Sequence, residues 1–175
     1  MAGGAWSELL THSGQLTALY TELPPLEGLV LRSVQLNPRG AGVTLRVEFP
    51  RFPDLAPQAW TDAGCDRFEA QVEFMAVEED LRMRGVPDGT VIDIGLSPFL
   101  RERERERERR IAVGVSGRGF SLDFTAHAAL KVGHLNAYCA RDAEPYAAER
   151  WFVSPLDRRL YGSALPPTTA KRFYE

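Results

Sequence analysis

Five carboxylates lie close together near the middle of the sequence, and they are the first side chains to consider for chemistry. They are Glu69, Glu73, Glu78, Glu79 and Asp80. Carboxylate oxygens bind divalent cations when loops containing Gly or Asn converge on the ion. The alternating Asp or Asn residues and the central Gly of a calcium loop are absent from this stretch. A solvated edge or turn is therefore favoured over a metal site, and an acidic surface that binds a cationic protein is the third alternative.

The histidines do not form a recognisable catalytic or metal-binding set. His12 adjoins Ser13, but adjacent side chains point in different directions, and no Gly-x-Ser-x-Gly turn surrounds them. The spacing of His127 and His134 would suit one face of a helix, but the sequence offers no third ligand. We therefore expect no enzymatic activity, no catalytic residue, no bound metal and no cofactor.

An alternating Arg-Glu repeat occupies residues 101–108 and is followed by Arg109 and Arg110. As a helix the repeat would place like charges at every i,i+4 position, and as a strand it would place all Arg on one side and all Glu on the other. Neither face suits a core, because burying an unpaired charge is costly. The repeat predicts a solvated hairpin tip. The alternative is a nucleic-acid-binding module that uses the Arg-rich segment 101–110, although the interleaved carboxylates would repel phosphates.

The composition is that of an ordinary globular domain. The chain has 175 residues, of which 44% are hydrophobic and 26% charged, and its net charge is -3. Sequence-independent binding of nucleic acid needs a basic surface, so nucleic acid is not the expected partner. Acidic residues outnumber basic ones in the first hundred residues, and the balance reverses afterwards. This asymmetry favours an acidic face that suits a basic partner.

Cellular location is indicated by the cysteines and by hydropathy. Cys65 and Cys139 are the only cysteines; neither has a neighbouring Cys or a His at ligand spacing, so we expect free thiols. The beginning of the sequence lacks the basic and apolar parts of a signal peptide, and no apolar run approaches the ~20 residues that span a bilayer. We expect a cytoplasmic protein that has no membrane partner.

The N-terminal elements are predicted to be helical. Apolar residues from Trp6 to Tyr20 recur at helical spacing until Pro24 ends the pattern. Ser13 and Gly14 interrupt the spacing. The sequence therefore predicts a short helix, a break, and a second helix capped by the Ser13 side chain.

Strands follow, because the hydrophobic period changes to two. LVLRSVQL and VTLRVEF flank a turn and predict a hairpin, and RFEAQVEFMAV predicts the next strand. VIDIGL, IAVGVSG and FSLDFTA predict three more strands. The residues of the hairpin and the next strand that are predicted to face water are Thr44, Arg46, Glu48, Glu69, Gln71 and Glu73.

The last third of the sequence is less regular. Residues 126–141 are predicted to form a helix, or a last strand followed by a helix. The remainder mixes Pro, Arg and aromatic residues without a sustained period. It contains too many large apolar groups for a solvated tail, so we expect it to be partly docked.

Together these elements predict an α+β fold. An N-terminal helical segment packs on a mostly antiparallel β-sheet, a meander of hairpins, with a short C-terminal helix or strand and an irregular extension. We expect an α+β domain over residues 1–143 and a C-terminal extension over residues 144–175.

This order of motifs resembles the immunity protein 50 family of bacterial polymorphic-toxin systems. The residues that carry the likeness are Trp6, the segments LYTELPPLEGLVLRSVQL and VTLRVEFPRFPDLAPQAW, and FEAQVEF followed by LRMRG. The likeness extends over about residues 5–140. Its motifs are apolar, Pro and Gly positions, so they indicate a fold and not a chemistry. The Arg-Glu repeat and the residues after about 143 are departures from the family pattern.

The resemblance implies a protein that binds and neutralises a toxin of the same bacterium, without catalysis. Tight inhibitors fill a cleft of their target with a few anchoring side chains. If the toxin is a nuclease, its cleft is basic, and acidic side chains on the inhibitor mimic the substrate and accelerate encounter. On this basis the predicted toxin-binding residues are Glu69, Glu73, Glu78, Glu79 and Asp80.

Overall fold

The computed structural model describes residues 6–99, 109–141 and 144–167. Among these residues, ten strands form one mixed sheet, and helices are few and short. The helices are α1 (Gly14–Thr17), α2 (Gln58–Asp62) and α3 (Pro155–Tyr161), and a 3₁₀ turn spans Ser7–Leu9. The strands are β1 (Leu10–Thr11), β2 (Leu29–Asn37), β3 (Gly42–Phe49), β4 (Arg67–Phe74), β5 (Arg82–Arg84), β6 (Thr90–Phe99), β7 (Arg110–Gly117), β8 (Phe120–His127), β9 (Leu130–Tyr138) and β10 (Trp151–Phe152).

The strand order is β1-β9-β4-β3-β2-β6-β7-β8-β5, and β10 also pairs with β9. Among the pairs formed by the described residues, only β1–β9 is parallel. The meander predicted from the alternating patterns is therefore present twice, as β2-β3-β4 and as β6-β7-β8. The Arg-Glu repeat at 101–108, predicted to be a solvated hairpin tip between β6 and β7, lies outside the described residues.

The sheet curls back on itself. Strands β8 and β9 are joined by two residues, Ala128 and Ala129, yet five other strands separate them in the strand order. The segment after β4 also runs beside β8, because the His127 amide donates to the Met75 carbonyl at 3.0 Å and the Glu78 amide to the Thr125 carbonyl at 3.0 Å. The curl encloses one apolar core.

Aromatic rings fill one part of that core. The ring of Phe68 on β4 lies 5.5 Å from Phe49, 5.9 Å from Tyr20 and 6.2 Å from Trp60, measured between centroids. The prolines around Trp60 keep its segment out of the sheet, so its helix α2 folds over the core instead. Burial of several such rings is a major source of stability for the fold.

The structure does not show the predicted N-terminal helical segment: each of the two predicted helices is reduced to about one turn. The segment forms the 3₁₀ turn, the two-residue strand β1 and the four-residue helix α1, and the Ser13 side chain makes no capping hydrogen bond. Leu10 and Thr11 pair instead with Leu130 and Lys131 of β9. Helices this short are marginal on their own, so pairing to an existing sheet edge prevails over helical spacing.

Two further predictions need correction. Residues 126–141 contain the end of β8 and the whole of β9, and no helix. The outer faces of β3 and β4 are also not open to water: Arg46, Glu48, Glu69 and Gln71 are buried. The reason is that residues 144–167, with β10 and α3, pack over this side of the sheet.

Candidate functional site

The outer face of β3, β4 and β9 carries a buried ionic network. Alternation along each strand places its apolar side chains in the core and its polar ones on this outer face. Residues 144–167 cover the face and add one arginine. The members of the network are Arg46, Glu48, Glu69, Asn136, Tyr138 and Arg150, with Arg32 and Arg67 at its margin.

Glu48 is held by three side chains. Arg32 Nη2 lies 2.7 Å from its Oε2, and the Tyr138 hydroxyl donates to the same oxygen at 2.5 Å. Arg67 Nε lies 3.3 Å from its Oε1. Burial, and then the hydrogen bond to Glu48, raise the pKa of Tyr138 well above its usual value, so the phenol stays protonated and remains a donor.

Glu69 lies deeper, with 1% of its surface exposed. Its oxygens are 3.4 Å from Arg150 Nη1 and 3.8 Å from Arg46 Nε. Burial raises the pKa of Glu69, and the two guanidinium groups oppose this rise. Burial likewise lowers the pKa of Arg150, and Glu69 opposes that fall. The two groups are therefore each other's main compensation for loss of water.

The network fastens the C-terminal segment to the sheet. The Arg150 guanidinium stacks over the Tyr138 ring at 4.1 Å and donates to Asn136 Oδ1 at 3.2 Å and to the Pro145 carbonyl. Tyr146 receives the Arg46 guanidinium over its ring at 5.0 Å. Every charge in the group has an opposite charge beside it, so the arrangement is suited to holding two parts of the fold together.

His134 makes a second attachment of the same segment. Its Nδ1 lies 2.9 Å from Asp157 Oδ1 in helix α3, and its ring meets Tyr161 edge to face at 5.7 Å. Ser154 caps that helix, because its Oγ accepts from the Asp157 amide at 3.4 Å. His127 is at the end of β8, so the two histidines do not share a helix face. Within the described ranges no three His, Cys, Asp or Glu side chains are placed to hold a metal ion.

The five predicted toxin-binding carboxylates do not converge on one point. Glu69 is in the ionic network, and Glu73 is half-buried at the other end of β4, opposite Lys131. Glu78 forms an ion pair with Arg110 at 2.9 Å, and Asp80 accepts two hydrogen bonds from Thr125, at 2.7 and 3.1 Å. Glu79 is exposed. Residues 78–80 thus form an acidic segment beside β8, while access to Glu69 requires displacement of the C-terminal segment.

The structure also has an apolar groove that the sequence patterns did not predict. It lies between the N-terminal turn, residues 25–27 and the ends of β6 and β7 near the Arg-Glu repeat, and has a volume of about 440 Å³. Trp6, Leu9, Leu26, Ile94, Leu96 and Ile111 form its walls, and Glu8, Glu27, Pro98, Arg109 and Arg110 also line it. Five separate parts of the chain contribute, Ala128 being the fifth, so no local pattern could reveal it.

The nucleic-acid alternative depends on residues 101–110, of which 101–108 lie outside the described residues. Of the two described arginines, Arg110 is paired with Glu78 and also donates to the Ala76 carbonyl at 2.5 Å. Arg109 is exposed. The geometry therefore leaves one exposed guanidinium of this segment among the described residues.

The sequence that folds into this curled sheet matches the profile of a family of immunity proteins. The name of that class indicates immunity to a toxin, and the class is generally non-catalytic. The chain belongs to the immunity protein 50 family: the family's profile matches residues 13–129, more than half of the chain. The resemblance predicted from Trp6 and the Pro-rich motifs is thereby confirmed. The match contains α1 and strands β2 to β8, whereas β9, β10 and α3 follow it.

Other comparisons add nothing to this assignment. Neither a curated protein nor a solved structure matches the chain. Among the described residues, no helix has the length and apolar character that a membrane crossing demands.

Proposed function

We propose that this protein binds a cognate bacterial toxin as a one-to-one, non-catalytic inhibitor and neutralises it in the cytoplasm. The observation that carries the proposal is membership of the immunity protein 50 family over residues 13–129. The geometry supports a non-catalytic role. The charged side chains of the buried ionic network are paired with each other, and they hold the C-terminal segment to the sheet. Activity then resides in shape and charge complementarity to a partner.

The proposed contact surface includes the acidic segment at residues 78–80 together with Glu73. These side chains lie near the junction of β4, β8 and β9, where the chain leaves the sheet and water reaches them. A basic toxin cleft would be attracted to such a surface over about one Debye length, ~8 Å at physiological salt. Glu69 belongs to the proposed set as well, but in the described fold it acts from beneath the C-terminal segment.

The test of the function is co-expression with the protein encoded by the adjacent reading frame. Expression of that neighbour alone is expected to arrest growth, and co-expression of this chain is expected to restore growth and to yield a one-to-one complex on size exclusion. If the neighbour is toxic and this chain neither rescues growth nor is retained with it, the proposal is wrong. Retention of unrelated DNA that weakens steeply with salt would instead support the nucleic-acid alternative.

The acidic surface is tested separately by charge reversal. Glu79→Lys is the cleanest variant, because Glu79 is exposed, whereas Glu78 and Asp80 hold Arg110 and Thr125. We expect Glu79→Lys to slow association with the toxin roughly two- to tenfold at low salt, with a smaller effect at high salt. Glu149→Lys, an exposed reversal on the C-terminal segment, is the matched control. Equal association rates for the two variants would remove Glu79 from the contact surface.

A further inference from the structure

The apolar groove is the recessed surface with the least structural explanation. Strands β6 and β7 continue past the enclosed core, and the inward-facing residues of β6 become progressively less covered: Ile94 is 7% exposed, Leu96 is half-buried and Pro98 is exposed. Ile111 faces Pro98 in register across the hairpin. Ile111 is itself buried, so the apolar face that extends beyond the core is that of Leu96 and Pro98 on β6, and covering it by a partner would be favourable.

The groove is firmly built on its other side. Trp6 Nε1 donates to the Pro24 carbonyl at 3.0 Å, which fixes the N-terminal turn against the loop before β2. The Ile94 amide donates to the Leu26 carbonyl at 2.8 Å, which fixes that loop against β6. A volume of about 440 Å³ falls in the range of sites that take a compact ligand or a few side chains. A preformed wall of this kind costs little ordering on binding.

The charges at the rim select the partner. Glu8 and Glu27 are exposed, and neither has an ion-pair partner among the described residues. The charge of Arg110 is compensated by Glu78, and Arg109 adds one exposed positive charge. Among the described residues, the rim thus keeps a net negative charge once Arg110 is counted with Glu78. An apolar side chain followed by Lys or Arg fits such a groove, whereas one followed by Asp or Glu is repelled.

We propose that this groove binds an aromatic or large aliphatic anchor residue of the toxin that is flanked by a basic residue. The proposal rests on the proposed function and names the contact that supplies most of its affinity, since a buried anchor in a preformed pocket typically dominates an interface. Arg110 both lines the groove and pairs with Glu78, so the groove and the acidic segment share this residue.

The experiment measures the affinity of the protein encoded by the adjacent reading frame for the full chain and for groove variants. Pro98→Glu places a charge on the apolar wall, and Pro98→Val keeps the wall apolar as its matched control. We expect Pro98→Glu to weaken binding by about 30-fold or more, the effect of losing one hot spot, and Pro98→Val to change it less than about threefold. Thermal unfolding of each variant establishes that the fold is retained.

A second pair of variants tests the rim without touching the fold. Glu8→Lys combined with Glu27→Lys should weaken binding about tenfold and invert its dependence on salt, whereas Glu149→Lys should leave it unchanged. The groove proposal is overturned if the wild-type chain forms a stable complex and both Pro98→Glu and the Glu8→Lys, Glu27→Lys double variant bind with wild-type affinity. The proposed function would then still stand. Failure of the wild-type chain to bind the neighbour would overturn both.

The same variants distinguish the alternative occupant. A second copy of this chain would also cover an apolar face, and sedimentation of the free protein detects it. A dimer at micromolar concentration that Pro98→Glu dissolves would assign the groove to self-association and overturn the proposal. A monomer whose toxin binding is lost in Pro98→Glu is the expected result.

Discussion

Buried charge is the main unexpected feature at the scale of single residues. Glu69 and Arg150 are each almost fully buried, and they come from opposite sides of the contact between the sheet and the C-terminal segment. A buried ion pair is not by itself a source of stability, because its desolvation cost rivals its attraction. Breaking such a pair is costly, however, because the remaining charge has no water and no full partner. The pair therefore makes docking of the segment specific.

Replacement of Arg150 tests this reasoning. Arg150→Met should destabilise the protein by about 3 kcal/mol at pH 7, because the remaining ion-pair partner of Glu69 among the described residues, Arg46, is 3.8 Å away. Burial already raises the pKa of Glu69, and loss of Arg150 raises it further. At a pH between the pKa of Glu69 in the unfolded chain and its higher pKa in the folded variant, the folded variant keeps a proton that the unfolded chain releases. The stability of the variant therefore falls as the pH rises through that window. Urea unfolding should show a smaller deficit at pH 5 than at pH 8.

The control for that experiment is Arg150→Met combined with Glu69→Gln. The double variant has no titrating carboxyl at this position, so its deficit relative to Glu69→Gln should be the same at pH 5 and pH 8. If the single variant also shows equal deficits at the two pH values, Glu69 is not the group that Arg150 compensates.

The sequence predicted which residues alternate on β3 and β4, but not their environment. Arg46, Glu48 and Glu69 follow the polar half of a period-two pattern, which is typical of a solvated face. A pattern within one strand carries no information about a segment that packs on it from eighty residues away. The sequence after residue 144 is rich in arginine and aromatic residues. This composition indicates that the C-terminal segment docks on the fold, but it does not indicate which face of the sheet the segment covers.

The two cysteines should differ in reactivity. Burial raises the pKa of Cys65 to about 11, and interaction with Cys139 adds to the rise. Cys139 is only half-buried. Because the thiolate is the reactive form, iodoacetamide at pH 8 should alkylate Cys139 at least about tenfold faster than Cys65. Peptide mass spectrometry measures both rates, and Cys139→Ser gives the Cys65 rate alone. Equal rates in the native protein would contradict the burial of Cys65.

At the scale of elements, the edge strand β5 depends on one glycine. Gly85 follows β5 with a φ of +82°, and a Cβ built there would overlap the Gly119 carbonyl oxygen in the β7–β8 turn. The close approach of these two backbones is what places β5 against β8. β5 is only three residues long and each of its residues is exposed, so its short ladder with β8 and this close approach are what hold it.

Gly85→Ala should therefore release β5 from the sheet. We expect the free energy of unfolding to fall by about 2 kcal/mol or more, because the new Cβ overlaps the Gly119 carbonyl and the backbone is strained. Amide exchange at Arg82–Arg84 should become faster. Gly119→Ala is the matched control, because Gly119 has a φ of +73° but no atom within 4 Å of its built Cβ. It should cost only the strain, about 1–2 kcal/mol. Equal effects of the two substitutions would mean that the close approach does not hold β5.

Elements were predictable where the sequence is periodic over the length of a strand. The β2–β3 hairpin, β4 and the strands β6 to β8 follow from alternation and turn residues alone. β1 and β10 have two residues each and exist because β9 offers them an edge. A two-residue strand is too short to show a hydrophobic period, so β1 and β10 could not be predicted from the sequence. They form through tertiary pairing, and the pairing of β1 also replaces part of the predicted N-terminal helical segment.

At the scale of the whole molecule, the family region and the C-terminal segment are interdependent. The family profile ends at residue 129, but β9 lies between β4 and β1 inside the sheet. β9 also carries Asn136 and Tyr138, whose polar groups meet Arg150 and Glu48. The predicted division into residues 1–143 and 144–175 stays a prediction. The contacts between the two parts belong to one ionic network.

Removal of the C-terminal segment is the strongest test of that interdependence. A chain that ends at residue 141 loses Arg150 and Asp157, so Glu69 loses the nearer of its two guanidinium partners, His134 loses its carboxylate partner, and the outer face of β4 and β9 meets water. We expect the free energy of unfolding to fall by roughly 4 kcal/mol, which is about the cost of breaking one buried ion pair. In a chain of this size that loss lowers Tm by about 10 °C. Calorimetry of both chains measures it.

The full chain should unfold in a single transition, and a synthetic peptide of residues 144–167 added in excess should partly restore the Tm of the shortened chain. Restoration is expected because the contacts are polar and directional, and strands β1 to β9, which present them, all lie outside the peptide. An unchanged Tm after truncation would show that the segment rests on the sheet without stabilising it. The polar face beneath would then be an exposable surface, and Glu69 would return to the toxin-binding set in its own right.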